Sequence, residues 1–207
     1  MRYVVGNLLE CEEIVIAHGC NCQGVMGSGV ALAIRRKWPD IYEDYRKIFE
    51  DDLYDPKLGD CISDVTEDGT KVILNLLTQE SFGTDRRHVN YAAIVSSLVA
   101  YIDDIREDID SVTIAIPKIG AGLGGGDWNV IELLLKDLEA IYTDIELEFV
   151  VYVLDESELP NTSDRCHPSH VLRSSDASSF DYVCVNCGET DQVPGGWGNL
   201  KFVCKGK

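Results

Sequence analysis

The sequence predicts an α/β domain of three layers, with helices on both faces of one sheet, followed by a small separate module. Three observations carry this. Short apolar runs alternate with segments whose apolar residues recur at helical spacing, over about the first 155 residues. Runs such as Ile14-Val15-Ile16 are apolar at successive positions, as strands covered on both faces are. Two glycine-rich stretches each stand between an apolar run and a helix, at the strand ends where open α/β sheets take ligands.

In order, Arg2–Val5 reads as a strand ending at Gly6, and residues 14–17 as a second, buried strand. A helix over 30–38 stops at Pro39, which cannot continue it. Asp40 is placed to cap a second helix over 41–49, with Ile41, Tyr45 and Ile48 on one face. Residues 59–65 and 71–77 read as strands joined by the turn Glu67-Asp68-Gly69. Residues 78–87, TQESFGTDRR, form a polar loop. Tyr91–Ile105 is a helix with Ile94, Leu98, Tyr101 and Ile105 in register. A strand over 111–117, a helix over 130–142 and a strand over 147–154 complete the domain, placed at 1–156. Pro160 and Asn161 mark a linker, and 157–207 is the second module.

The 207 residues carry 36 acidic and 18 basic side chains, a net charge of −18. This excludes non-specific nucleic-acid binding by a basic face. It does not exclude a small anion held by backbone N–H groups, which carry no formal charge. No apolar run approaches the roughly 20 residues of a membrane span. Acidic residues follow the N-terminus too soon for a secretory signal, so the expected location is the cytoplasm and no membrane partner is expected.

The first glycine stretch lies within AHGCNCQGVMGSGVALAI, and the second is IPKIGAGLGGGDW. The first matches neither the dinucleotide nor the Walker fingerprint. Strand, glycine loop and helix start together present unpaired N–H groups and a positive helix end to an anion. His18 and Asn21 lie beside the first loop and Asp127 ends the second. The plainer readings are a satisfied core histidine, a turn asparagine and a helix cap.

Four pieces in order, GNLL, HGCNCQGVMGSGVALAI, LNLLTQE and IPKIGAGLGGGDW, resemble the macro domain, the ADP-ribose-binding module, over residues 1 to about 155. Within it, HGCN with a GGDW loop looks most like the ADP-ribose 1″-phosphate phosphatase and small deacylase branch. The resemblance implies a central mixed sheet. It implies that Asn7 and Leu8, after Gly6, lie on the adenine side. Gly27, Ser28, Gly29 and Val30 match the loop round the pyrophosphate and distal ribose, and Asn21 the asparagine that bonds that ribose. Gly120, Ala121, Gly122, Leu123, Gly124 and Gly125 match the second phosphate loop. His18 and Asp127 match the pair given catalytic roles.

Gln79 is also placed at the ligand, where some relatives carry a nucleophilic lysine, so a covalent lysine route is not expected. No Cys-x5-Arg loop offers another nucleophile. Direct attack by water remains, with Asp127 as base or water-orienting group and His18 donating to the leaving group or holding the phosphate. The expected ligand is therefore ADP-ribose or a derivative, and the expected activity removal of phosphate from ADP-ribose 1″-phosphate. The alternatives are deacylation of O-acetyl-ADP-ribose, release of ADP-ribose from macromolecules, and binding without catalysis.

In the second module Cys184-x2-Cys187 has the spacing of two thiolates on one turn reaching a single zinc ion. Cys204 supplies a third ligand and Cys166 a fourth, with His167 and His170 as competitors. The module resembles zinc ribbons, so a structural zinc is expected, with none required for catalysis. A protein or nucleic-acid contact through it is open, without support from its charge.

Overall fold

The computed structural model describes residues 1–51 and 54–160, together with three short strands further on. By its internal contacts the chain divides into units 1–157 and 158–207. In the first, six strands form one sheet: β1 (Arg2–Val5), β2 (Val15–Asn21), β3 (Cys61–Val65), β4 (Val72–Gln79), β5 (Ser111–Ile116) and β6 (Glu146–Val153). Their order is β1-β6-β5-β2-β4-β3. All neighbours are parallel except β3, which runs antiparallel to β4 at the edge, so the sheet is mixed.

Helices α1 (Gly29–Lys37) and α2 (Pro39–Ile48) pack on one face. Their Ile34 and Ile41, with Trp38 between them, meet Leu8 and the inward residues Ile16, Ile73 and Ala115. A second cluster continues this face, where Tyr45 packs with Cys20, Met26, Ile62 and Leu77. Helices α3 (Tyr91–Ile105) and α4 (Trp128–Ile141) pack against each other, α3 on β3 and β4 and α4 on β6. Successive residues of a strand point to opposite faces. That is why β4 is buried from Ile73 to Thr78 and why its sequence does not alternate.

Three boundaries differ from expectation. β2 runs on through His18, Gly19, Cys20 and Asn21, because β4 pairs with it along the whole length. β4 likewise includes Thr78 and Gln79. α2 begins at Pro39, whose fixed φ suits the first helical position, and Trp38 is its N-cap. Asp40 is therefore not the cap; its Oδ2 accepts instead from the Glu67 N–H at 3.0 Å.

In the second unit, β7 (Arg173–Asp176), β8 (Ser179–Val183) and β9 (Thr190–Pro194) form an antiparallel sheet in that order. The proposed zinc ligands Cys166, Cys184, Cys187 and Cys204, and their competitors His167 and His170, lie outside the described residues.

Candidate functional site

The central strands β2 and β5 are neighbours over only two registered pairs, Val15↔Ile114 and Ile16↔Ala115. Beyond these they part, β2 staying with β4 and β5 with β6. A crevice at the carboxyl ends, where the strand order reverses, is the place at which open α/β sheets bind ligands. β2 leaves into the first glycine loop and α1, and β5 into the second loop and α4. The two loops meet across the crevice: a Cβ added at Gly29 would stand 3.9 Å from Leu123 Cδ1.

The first loop is shaped by Asn21. Its Oδ1 accepts from the N–H groups of Gln23 and Val25 at 3.0 and 3.3 Å, and its Nδ2 donates to Val25 O at 2.6 Å. The Tyr45 hydroxyl donates to the Asn21 carbonyl from α2, and burial pushes that phenol well above its ordinary range. The loop ends at Ser28, which occupies the N-cap position without a side-chain cap bond. The first bond of α1 runs from Leu32 N to Ser28 O at 3.1 Å. The N–H groups of Gly29, Val30 and Ala31 thus have no helical acceptor and face outward with the positive helix end.

The second loop is held from its far side. Gly124 O accepts from His88 N and Val89 N at 3.0 and 3.1 Å, and Gly126 N donates to Gly120 O at 2.8 Å. Gly120 has φ of +74°, and a Cβ there would come within 2.6 Å of Val89 Cγ2. Gly122 opens on space, and Leu123 is exposed. Asp127 caps α4: its Oδ1 accepts from Asn129 N at 2.9 Å and from Asn129 Nδ2 at 3.1 Å. Its own N–H donates to the Tyr91 hydroxyl at 2.8 Å. Oδ2 has no partner among the described residues, so the carboxylate is a cap with one oxygen to spare. The two helix starts differ accordingly: α4 is closed by a carboxylate, while α1 is open to an anion.

Several expected roles do not meet this geometry. His18 is 0% exposed, on the α1–α2 side of the sheet, while Asp127 opens a helix on the other side. The His18 Nε2 lies 2.8 Å from Asn75 Oδ1, and burial holds the imidazole at a pKa of about 4 against the pull of that hydrogen bond. Its burial and its bond to Asn75 support the core reading of this histidine. Asn21 is 6% exposed and its amide makes three hydrogen bonds within the loop, so it shapes the site. Leu8 is a core residue packed with Ile16 and Ile34. Asn7 is exposed, but its Oδ1 already accepts from Leu9 N at 3.1 Å to cap the 3₁₀ turn Leu8–Glu10. Gln79 ends β4 beside Asn21; its Nε2 donates to Ser81 O at 2.9 Å and its carbonyl accepts from Cys22 N.

The polar loop after β4 contributes more than its sequence reading gave it. With the start of α3 it lines a groove of about 560 Å³ that includes Glu80, Ser81, Arg86, Arg87 and His88. The His88 side chain is 5% exposed. Its Nδ1 meets Ser81 Oγ at 3.2 Å and its Nε2 meets Asp85 Oδ1 at 2.9 Å, which ties the loop to itself, while its backbone N–H holds Gly124 O of the second glycine loop. The available signal was Arg86-Arg87-His88 beside a strand end in a strongly acidic chain.

Cys11, Cys20, Cys22 and Cys61 are all free thiols, and burial pushes Cys61 up to about 12. Among the described residues no three His, Cys, Asp or Glu side chains could hold a metal, and no helix is long and apolar enough to cross a membrane.

The sequence model of the macro domain matches residues 17–132. A DNA ADP-ribosyl glycohydrolase of Mycobacterium tuberculosis is 31% identical over 132 residues, 64% of this chain; the match covers 36% of that protein's length. An ADP-ribose 1″-phosphate phosphatase of Scheffersomyces stipitis is 29% identical over 181 residues, covering 74% of this chain and 99% of the relative. Among solved structures, the macrodomain of Mycobacterium tuberculosis DarG superposes with a TM-score of 0.61 at 31% identity, covering 73% of this chain and 97% of that one. Both glycine loops lie within the matched stretch, and the chain belongs to the macro domain family.

Proposed function

We propose that this chain is an ADP-ribose-binding hydrolase that removes phosphate from ADP-ribose 1″-phosphate by direct attack of water. The observation that carries the reading is the uncapped start of α1, facing the second glycine loop across the Gly29–Leu123 gap. Backbone donors of this kind bind a pyrophosphate without a cationic side chain, which suits an acidic protein. The Scheffersomyces stipitis relative, matched over nearly its whole length, carries this activity in its name.

In this reading Asp127 Oδ2 accepts a hydrogen bond from the attacking water and takes its proton, and a proton from the surrounding water goes to the ribose 1″ oxygen as its bond to phosphorus breaks. General-base help of this kind contributes roughly 10²–10⁴-fold. The N–H groups of the loops face the charge that builds on the phosphoryl oxygens. His18 supports the first loop from beneath and takes no part in proton transfer. Phosphate release from ADP-ribose 1″-phosphate, with calorimetric binding of ADP-ribose alongside, tests the proposal. Binding without turnover would leave an ADP-ribose reader.

A second reading is removal of ADP-ribose or an acyl group from a larger substrate. The groove after β4, open beside the second loop, favours it, as does the relative named a DNA ADP-ribosyl glycohydrolase. Comparing free ADP-ribose 1″-phosphate and O-acetyl-ADP-ribose with ADP-ribosylated oligonucleotide and protein separates the two. We further infer a structural zinc on Cys184, Cys187, Cys204 and Cys166, supported by the Cys-x2-Cys spacing. A cytoplasmic location is supported by the four free thiols of the first unit.

A further inference from the structure

Residues 1–155 carry 13 basic against 29 acidic side chains. Six of the cations, Arg2, Arg46, Lys47, Lys57, Arg106 and Lys136, form ion pairs among the described residues. Arg86 and Arg87 form none among the described residues, although both are exposed and line one groove. The adjacent Asp85 is engaged by His88, and Glu80 is the one carboxylate among the groove's lining residues.

Their position ties them to the reacting end of the site. The Arg87 guanidinium lies over the Tyr91 ring, 4.6 Å from its centroid. The hydroxyl of that same ring holds the Asp127 N–H at 2.8 Å. A Cβ at Gly125 would lie 3.2 Å from Arg87 Cα and 3.6 Å from Arg86 O, so the arginine backbone runs along the second glycine loop. His88, buried and bonded at both ring nitrogens, anchors the segment. The guanidinium pair, neither member in an ion pair among the described residues, is thus linked from Arg87 through Tyr91 to the backbone of the residue assigned to the water. Planar guanidinium forks match phosphate oxygens.

We propose that Arg86 and Arg87 are the specificity residues for a phosphate group attached to the distal ribose of ADP-ribose, with the groove after β4 as its subsite. This rests on the ADP-ribose reading of the crevice. The phosphate is either a free monoester, as in ADP-ribose 1″-phosphate, or the terminal phosphate of an ADP-ribosylated nucleic-acid end.

Competition with labelled ADP-ribose, on the full chain in the cold, gives Kd for ADP-ribose, ADP-ribose 1″-phosphate and an oligonucleotide bearing ADP-ribose on its terminal phosphate. The wild type is expected to bind a phosphate-bearing ligand at least about tenfold tighter than ADP-ribose, with an advantage that shrinks as salt screens it. In the Arg86→Gln/Arg87→Gln protein the advantage falls to within about twofold while the Kd for ADP-ribose holds, and Arg86→Lys/Arg87→Lys lies between. Which phosphate ligand loses more identifies the source. No preference in the wild type, a preference kept by the glutamine pair, or equal loss of all three ligands would overturn the subsite. Thermal melts run alongside exclude unfolding, and the lysine pair supplies the test if the glutamine pair does not fold. Failure of the wild type to bind ADP-ribose at all would instead remove the reading on which the subsite rests.

Discussion

The His18 Nε2 and Asn75 Oδ1 stand 2.8 Å apart at the same level of β2 and β4, both residues 0% exposed. Two polar side chains thus satisfy one another beneath the first glycine loop. The Asn75 Nδ2 is buried with no further partner among the described residues. The pair makes stability depend on pH. The folded imidazole titrates near 4 against 6.5 when free, because burial disfavours its charge. Between those values the unfolded chain holds the extra proton, so stability is complete above about pH 6.5 and falls as pH drops toward about 4. Roughly 2 kcal/mol should be lost between about pH 7.5 and pH 5 through this group. Urea titrations of the wild type and of His18→Gln, which cannot titrate there, should show that difference; parallel curves would refute it.

Asn21 should behave as a loop residue whose loss is felt as affinity. Asn21→Ala removes three hydrogen bonds that shape residues 22–25 and leaves the Val25 carbonyl without its donor. A destabilisation of about 1–3 kcal/mol is expected. Weaker ADP-ribose binding should accompany it, because the α1 start is no longer presented in place. Calorimetry and thermal melts read the two effects. Affinity lost with stability intact would mean that the amide touches the ligand directly.

Asp127 combines a cap and a proposed base, and two substitutions separate them. Asp127→Asn keeps an oxygen able to accept from Asn129 N, so stability should change little. Its hydrolysis rate should still fall about 10²–10⁴-fold, since the amide cannot take a proton. Asp127→Ala should lose the same rate and in addition about 1 kcal/mol of stability. Full turnover in the asparagine variant would assign Asp127 to capping alone.

The layers of the fold were legible because they depend on local pattern. Ile16, Ile73 and Ile114 lie in apolar runs that only a sheet covered on both faces would bury. The end of β2 was not legible: His18 and Asn21 look like loop residues until Asn75 and the backbone of residues 23–25 supply their partners. Those partners are set by strand register and loop closure, which a linear reading does not contain. Glycine positions announced the two loops. The difference between an open α1 start and a closed α4 start lay in whether Ser28 and Asp127 turn back on their own helices. Arg86 and Arg87 read as a polar loop because what sets them apart is their place beside Tyr91 and the second glycine loop, a property of three-dimensional placement.

Gly120 and Gly122 belong to one loop and should respond oppositely to the same methyl group. At Gly120 the positive φ and the 2.6 Å approach to Val89 Cγ2 both oppose a side chain. Gly120→Ala should destabilise by about 1–3 kcal/mol and displace the loop. Gly122 has open space and an ordinary φ, so Gly122→Ala should leave stability nearly unchanged. A methyl at Gly122 projects from the stretch proposed to wrap the phosphates, so ADP-ribose affinity should fall there without a change in melting. Equal affinity in Gly122→Ala and wild type would place the ligand away from this loop.

The last prediction concerns the second unit. Cys184 and Cys187 fall between β8 and β9, in the spacing that sets two thiolates on one metal. A three-stranded sheet of four- and five-residue strands is small for folding by hydrophobic burial alone. A bound zinc would couple its own binding free energy to folding of this unit. The first unit has a core of its own around Ile16 and Ile34 and around Tyr45 and Leu77, and needs no such help. Elemental analysis of the purified protein should therefore find one zinc per chain. Chelation should expose residues beyond about 158 to protease while ADP-ribose binding by the first unit persists. Substituting Cys184 and Cys187 together with serine should abolish the metal and reproduce the protease sensitivity. A protein that carries no metal as isolated and gains none when zinc is supplied would refute the site. Loss of hydrolysis on chelation, restored by zinc, would instead give the metal a part in the reaction.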